Sequence, residues 1–326
     1  MNVLITTVPF GDKNSKPIDL LEKNLVNYVI NPFNKKLTED ELITLVKDID
    51  VIIAGTEKIS SKVMASAPNL KFISRVGIGL DSVDLVEARN RNIKVSYTPD
   101  APSPAVAELT IGLMISLLRS IHVVNSKMHC GNWERIFGKR LSELTIGIIG
   151  MGRIGNLVLE KLSSFNCKKV LLNDLKENAT VSTQSNIQWT DKQTIYKMAD
   201  LITLHLPLTK DTKNMITKKE LSLMKSDACI INTSRGGIIN EDDLYNKLIN
   251  NPNFSAAIDV FNLEPYNGPL REINRCLLTS HMGSMSVDCR SKMEIEATEE
   301  AIRFIKSEQL QNEVPDEEYD VQRAGL

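Results

Sequence analysis

Arg235, Glu264 and His281 each stand just beyond a short apolar run, in Thr233-Ser234-Arg235-Gly236-Gly237, Phe261-Asn262-Leu263-Glu264-Pro265 and Ser280-His281-Met282-Gly283. Histidine titrates near neutrality, so it can give or take a proton in either direction of a reaction. A carboxylate beside it fixes one tautomer and favours the protonated ring. A guanidinium fork binds a carboxylate through two parallel hydrogen bonds and polarises a neighbouring carbonyl. Together the three are the parts needed to move a proton at an oxygen next to a carboxylate. Singly, each has an ordinary reading: an exposed histidine, a tight turn and a loop boundary. His122 and His129 lie on an apolar helix pattern without such company and are not assigned to proton transfer.

The elements that must position these residues are led by residues 145–174. An apolar run, Thr145-Ile146-Gly147-Ile148-Ile149, opens into Gly150-x-Gly152-x-x-Gly155. An apolar-periodic stretch follows to Phe165, and a second apolar run ends at Asp174. Strand, glycine turn, helix, strand and acid in that order form the opening βαβ unit of a dinucleotide-binding domain. Gly150 permits the tight turn, Gly152 lets backbone approach a pyrophosphate, and Gly155 lets the helix lie close to the sheet. The helix beginning near Arg153 aims unpaired N–H groups and its positive dipole end at the phosphates. A carboxylate ending the second strand accepts from ribose hydroxyls and repels a 2′-phosphate, so Asp174 favours NAD over NADP. His205, two residues before Pro207, reads as lining the adenine or nicotinamide pocket and not as a proton carrier.

With 326 residues the chain is long enough for two domains. Apolar runs at 3–7, 50–54, 71–76 and 93–97 alternate with amphipathic stretches at 18–29, 39–47, 61–67 and 83–91. That alternation predicts a parallel sheet with helices on both faces. The loop Arg75-Val76-Gly77-Ile78-Gly79-Leu80-Asp81 reads either as a ligand loop at a strand end or as a turn that needs positive φ. Pro99, Pro102 and Pro104 then break the pattern and mark a crossover. The helix predicted from Ser103 to about residue 129 is apolar nearly all round, so it must be buried as a spine between domains or in a subunit interface. Further strands are expected at 200–207, 228–233, 255–260 and 276–279, each ending in polar residues. The fold class is α/β, with two doubly wound parallel-sheet domains. A Rossmann NAD-binding domain, 101–286, is inserted in a flavodoxin-like substrate domain built from 1–100 and 287–326. The tail after Ile305 is read as a polar surface segment.

Composition narrows the partners. The chain is 42% hydrophobic and 25% charged, with a formal net charge of −2. It carries no electrostatic footprint for nucleic acid or an anionic membrane. Cys130, Cys167, Cys229, Cys276 and Cys289 lack metal-ligand spacing, so no metal is expected and reduced thiols in a cytoplasm are. The first residues read as a strand and not as a leader, and the longest apolar stretch, 109–118, is too short to span a bilayer.

Taken in order, these segments resemble the D-isomer-specific 2-hydroxyacid dehydrogenase family over nearly the whole chain. The motifs that carry the resemblance are Val76-Gly77-Ile78-Gly79-Leu80-Asp81-Ser82-Val83-Asp84, Val106-Ala107-Glu108-Leu109, the glycine fingerprint and His205-Leu206-Pro207-Leu208-Thr209. They continue in Ile231-Asn232-Thr233-Ser234-Arg235-Gly236-Gly237, Asp259-Val260-Phe261, Glu264-Pro265 and Ser280-His281-Met282-Gly283-Ser284. The resemblance implies that Arg235 binds the substrate carboxylate, that His281 is the general acid/base and that Glu264 raises its basicity. It implies that backbone amides at Val76 and Gly77 also hold the carboxylate. Arg153 and Ile154 would lie at the pyrophosphate, Thr212 near the cofactor and Asp259 at the nicotinamide amide. Pro207, Thr233, Ser234 and Gly283 fall in the same cofactor-binding segments.

Within the family the chain is most similar to phosphoglycerate dehydrogenase-like members, and Arg75 matches an arginine that reaches a substrate phosphate. It departs in three respects. Residues 54–58 contain no second arginine for phosphate, only Lys58; Ser280 replaces the usual proline; and no regulatory serine-sensing extension is expected after the second domain. The family uses the first helix after the crossover as a dimer interface, which implies a homodimer through residues 104–129. The implied activity is NAD-dependent hydride transfer between nicotinamide and a small D-2-hydroxy or 2-keto acid, 3-phosphoglycerate-like acids included. The alternative is an NAD(H)-sensing interaction protein of the corepressor branch, which keeps the same residues.

Overall fold

Runs of valine, isoleucine and leucine make strands that are covered on both faces, and the capped amphipathic stretches between them become the covering helices. The structure is a computed structural model that describes residues 1–177, 181 and 185–323. It divides into two units, Met1–Pro102 with Met285–Leu326, and Ser103–Ser284.

The first unit holds strands β1 (Asn2–Ile5), β2 (Asn27–Ile30), β3 (Val51–Ala54), β4 (Phe72–Arg75) and β5 (Lys94–Ser96). They form one parallel sheet in the order β2-β1-β3-β4-β5. This is the flavodoxin-like doubly wound order, with its topological switch point between β1 and β3. β3 and β4 are buried along their whole length. Local chemistry sets the helix starts: Thr38 and Glu41 form a reciprocal capping box for Glu39–Leu45, and Asp84 caps Leu85–Asn90. The stretch 18–29, read above as one amphipathic helix, is instead helix Lys16–Lys23 followed by β2. Leu25 takes a φ of 53° and ends the helical path, and β2, exposed on both faces, lacks the alternation that would reveal a strand.

The long helix Val287–Ile305 packs on this same sheet, with the Ser74 hydroxyl donating to the Ala297 carbonyl at 2.7 Å and Phe304 stacked on Phe72. The tail corrects the surface-segment reading. Val314 and Tyr319 are buried, Tyr97 donates its N–H to the Asn312 carbonyl, and Arg89 lies 3.7 Å over the Tyr319 ring.

The second unit holds β6 (Thr145–Ile149), β7 (Lys169–Asn173), β8 (Ile187–Trp189), β9 (Leu201–Leu204), β10 (Cys229–Asn232), β11 (Ser255–Ile258) and β12 (Cys276–Leu278). All seven are parallel in the order β12-β11-β10-β9-β6-β7-β8. Read outward from β6, this is the Rossmann order with one more strand at the edge. Successive side chains serve opposite faces, as in β10, where Ile230 joins one core and Cys229 and Ile231 the other. Helix Ser103–Leu118 packs against helix Arg153–Ser163 and fills the second of these cores. The single helix expected to 129 is two: the chain breaks at Ser120, with φ 52°, and helix Ile121–His129 has no buried residue.

Candidate active site

β6 delivers the chain into the glycine turn, where the three glycines prove unlike. Gly150 has φ +97°, and a Cβ there would lie 2.3 Å from the His205 carbonyl oxygen. On Gly155 it would lie 2.0 Å from the Gly150 carbonyl oxygen. Both glycines are therefore required by the protein's own backbone. Gly152 is exposed, and a Cβ there meets nothing within 4 Å. Its missing side chain serves no internal contact and leaves open space beside the turn. The Asn156 amide ties the turn to the helix, donating to the Met151 and Gly152 carbonyls at 2.6 and 2.8 Å. Arg153 and Ile154 begin that helix, whose first amides form its positive end. Asp174, just past β7, accepts the Met151 and Leu175 N–H groups at 2.6 Å each. A carboxylate has about four acceptor positions, so capacity for ribose hydroxyls remains. Space, helix end and acid together fit a dinucleotide.

Three neighbouring strands supply the catalytic candidates. Arg235 follows β10, Glu264 follows β11 and His281 follows β12, and these strands lie side by side. His281 Nδ1 lies 2.8 Å and 3.0 Å from the two Glu264 carboxylate oxygens. A carboxylate there accepts from Nδ1–H, which leaves Nε2 as the nitrogen for proton exchange. The two side chains are 38% and 25% exposed, so the pair is held yet reachable.

Asp259, wholly buried, holds the loop that carries His281. It accepts the Thr279 hydroxyl at 2.6 Å and the Met282 N–H at 2.9 Å on one oxygen, and the Gly283 N–H at 3.0 Å on the other. His281 itself has φ 52° and donates its N–H to the Asp259 carbonyl at 2.8 Å. Asp259, expected at a nicotinamide amide, thus takes three hydrogen bonds from the His281 loop, as a buried charge requires. Gly283 fits tightly between Asp259 and Val106, since a Cβ there would lie 3.2 Å from the Val106 side chain and 3.3 Å from the Asp259 carboxylate.

Asn232 shapes the Arg235 loop in the same way. Its amide donates to the Arg235 carbonyl at 2.8 Å, and its oxygen accepts the Ser234 N–H and hydroxyl. A Cβ on Gly236 would lie 2.1 Å from the Phe261 carbonyl. Only glycine lets this loop meet, backbone to backbone, the loop leading to Glu264.

The remaining cofactor candidates are largely occupied in building the same edge. The Thr233 and Thr110 hydroxyls lie 3.0 Å apart, and the Ser234 hydroxyl is turned to Asn232. Thr212 donates to the Pro207 carbonyl at 2.6 Å and closes the loop after β9. His205 Nε2 meets the Thr203 hydroxyl at 3.0 Å, while Nδ1 is buried without a partner. Burial pushes the His205 pKa down to about 3, so its ring stays neutral.

In the first unit, the Val76 and Gly77 amides make hydrogen bonds within the fold. The Val76 N–H already donates to the Ala54 carbonyl at 2.9 Å, and the Gly77 N–H to the Thr98 hydroxyl at 2.8 Å. Gly77 does require its φ of +139°. Arg75 is buried, with Nη1 turned onto the Val76 and Ala54 carbonyls, so it braces its own loop. Asn232, Asn156 and Thr279 escaped the sequence reading. Asn232 had a signal, an Asx residue opening a polar loop; the other two are recognisable only through their distant partners.

A family model for the NAD binding domain of D-isomer specific 2-hydroxyacid dehydrogenases matches residues 111–283. The chain is 33% identical over 300 residues to a hydroxypyruvate reductase of Thermotoga maritima, covering 87% of this chain and 96% of that one. It is 34% identical to a D-3-phosphoglycerate dehydrogenase of Methanocaldococcus jannaschii, covering 85% of this chain but 54% of the relative, about half its length. Among solved structures, the TT0316 protein of Thermus thermophilus superposes with a TM-score of 0.87 at 28% identity, covering 97% of this chain and 100% of that one.

Proposed function

The chain belongs to the D-isomer-specific 2-hydroxyacid dehydrogenase family, and on that premise we propose that Arg235, Glu264 and His281 carry its reaction. It is an NAD-dependent oxidoreductase of small D-2-hydroxy and 2-keto acids. NAD, when bound, supplies the hydride chemistry. Gly152, Arg153, Ile154 and Asp174 would hold it on the turn that Gly150 and Gly155 permit, and His205, Pro207, Thr212, Thr233, Ser234, Asp259 and Gly283 would build the walls of its site.

Arg235 binds the substrate carboxylate through its guanidinium fork, which orients the adjacent carbonyl. His281 gives a proton from Nε2 to the substrate C2 oxygen on reduction and takes it back on oxidation. Glu264 keeps the proton on Nδ1 and stabilises the imidazolium. Asp259 is a positioning residue that fixes the His281 loop. The observation that carries the reading is the Nδ1–Glu264 contact at 2.8 Å, formed between loops of adjacent strands.

We further place the protein in a cytoplasm as a homodimer. Four of its free cysteines are buried and one is exposed, and the helix Ile121–His129 presents Ile121 and Met128 to solvent at 50% and 47% exposure. No single helix among the described residues is long and apolar enough to cross a membrane.

The test is NADH oxidation, read at the nicotinamide absorbance, with glyoxylate, hydroxypyruvate, pyruvate and 3-phosphohydroxypyruvate. At least one is reduced, and Glu264→Gln lowers kcat about 10- to 100-fold while NADH affinity holds, because the hydrogen bond survives and the charge does not. Absence of turnover across the panel by well-folded protein that binds NADH would favour the cofactor-sensing alternative.

A further inference from the structure

The second unit carries a half-buried carboxylate, Glu241, that the proposed reaction does not use. It opens helix Glu241–Asn250, on the segment that runs on from the Arg235 loop. The start of that helix is held firmly. Asn240 caps it by accepting the Asp243 N–H at 3.0 Å, and Asp243 accepts the Lys218 N–H at 2.9 Å. Leu244 and Leu248 bury its inner face. Glu241 has no cation partner among the described residues. Burial, with the charge of Asp242 beside it, pushes its pKa up. Against that cost stands one hydrogen bond among the described residues: Oε1 accepts the Asn262 N–H at 2.7 Å. A charge-assisted bond to a backbone N–H is among the stronger a side chain can make.

Asn262 belongs to the loop that carries Glu264. Phe261 stacks on Tyr266, with ring centroids 4.2 Å apart, and donates its N–H to Glu264 Oε1 at 3.2 Å. Leu263, the residue before Glu264, is 80% exposed. The N–H that Glu241 takes is thus two residues from the carboxylate that faces His281 Nδ1. Asp259 ties the end of β11 to the His281 loop, and Glu241 ties the Glu264 loop to the helix that follows Arg235. The three loops are clasped in series, all within this one unit.

Resting on the reaction proposed above, we infer that Glu241 is a positioning residue for Glu264: by clasping the Asn262 N–H it holds the Glu264 carboxylate where it orients the His281 ring. The role needs an acceptor oxygen at the reach of a glutamate side chain, and not the negative charge. Glu241 acts through Glu264 and is not itself a catalytic residue. A displacement on the order of 1 Å at a catalytic group is enough to lower turnover steeply.

The experiment compares the full chain carrying Glu241→Gln with that carrying Glu241→Asp. Gln keeps the length and an acceptor oxygen and drops the charge; Asp keeps the charge and is a methylene short. Both suit the first turn of a helix already capped by Asn240, so both fold. With the best keto acid of the panel, Glu241→Gln keeps kcat within about twofold of wild type and Glu241→Asp loses about tenfold or more. The NADH dissociation constant stays within about twofold in both. A second readout needs no turnover. In protein with isotope-labelled histidine, the His281 Nδ1 proton shared with Glu264 gives a downfield magnetic resonance signal, identified by its loss in His281→Ala. That signal is retained in Glu241→Gln and shifts or disappears in Glu241→Asp. An unchanged signal and kcat in Glu241→Asp, or a Gln variant that falls as far as the Asp variant, would overturn the assignment. A wild type that reduces none of the panel removes the reaction reading alone, and the resonance then decides whether Glu241 holds Glu264 in place.

Discussion

His205 and His281 share a unit and differ in what surrounds the ring. His281 has a carboxylate at 2.8 Å and an open side. His205 has one threonine hydroxyl and a buried, partnerless nitrogen, and burial pushes its pKa down to about 3. The unfolded ring titrates near 6.5. Between those values the unfolded chain binds a proton that the native ring refuses, so His205 costs stability as pH falls below about 6.5. The slope reaches about 1.4 kcal/mol per pH unit. His205→Gln should therefore lose less stability than wild type between pH 7 and 5, read from urea midpoints; equal losses would show that the ring does not stay neutral. At this scale the sequence made Arg235, Glu264 and His281 legible because proton chemistry needs those residue types. It did not reveal that Asp259 takes three hydrogen bonds from the His281 loop or that Glu57 is buried. Those facts depend on partners such as Thr279 and Thr6 that come from other strands.

Loops with glycine at close contacts do most to assemble the site. The fingerprint separates structural from ligand-directed glycine in a measurable way. Gly155→Ala places a methyl group 2.0 Å from the Gly150 carbonyl oxygen and should destabilise the fold by about 1–3 kcal/mol. Gly152→Ala meets nothing within 4 Å, so its melting temperature should match wild type while NADH affinity falls about tenfold or more. Calorimetry and NADH titration of the two variants check this, and unchanged affinity in Gly152→Ala would remove the pyrophosphate from that turn. The central strands were legible because β-branched runs between turn signals have one reading. β2 was not, since most of its side chains are exposed, nor was β8, a three-residue edge strand whose Ile187 and Trp189 are only partly buried. The tail helix Asp316–Arg323 escaped for a related reason: polar in composition, it buries only Tyr319 and docks otherwise through polar contacts, as where Gln322 accepts the Leu85 N–H and donates to the Val83 carbonyl.

At the level of the whole molecule, strand and helix alternation made two parallel sheets legible, while the strand orders depend on which strands pair across the sheet. Helix Ser103–Leu118 draws its burial from within its own unit, so apolar surface for a second copy falls instead on Ile121–His129. Wild type should elute at the mass of two chains, and the double variant Ile121→Glu/Met128→Glu at the mass of one. A monomeric wild type would contradict the homodimer. The account as a whole turns on His281 exchanging the substrate proton. Its most direct test is NADH oxidation with the best keto acid of the panel, wild type against His281→Ala, alongside NADH titration. The variant should lose about 10²- to 10⁴-fold in kcat while its NADH dissociation constant stays within about twofold. Turnover in His281→Ala within about threefold of wild type would contradict the account.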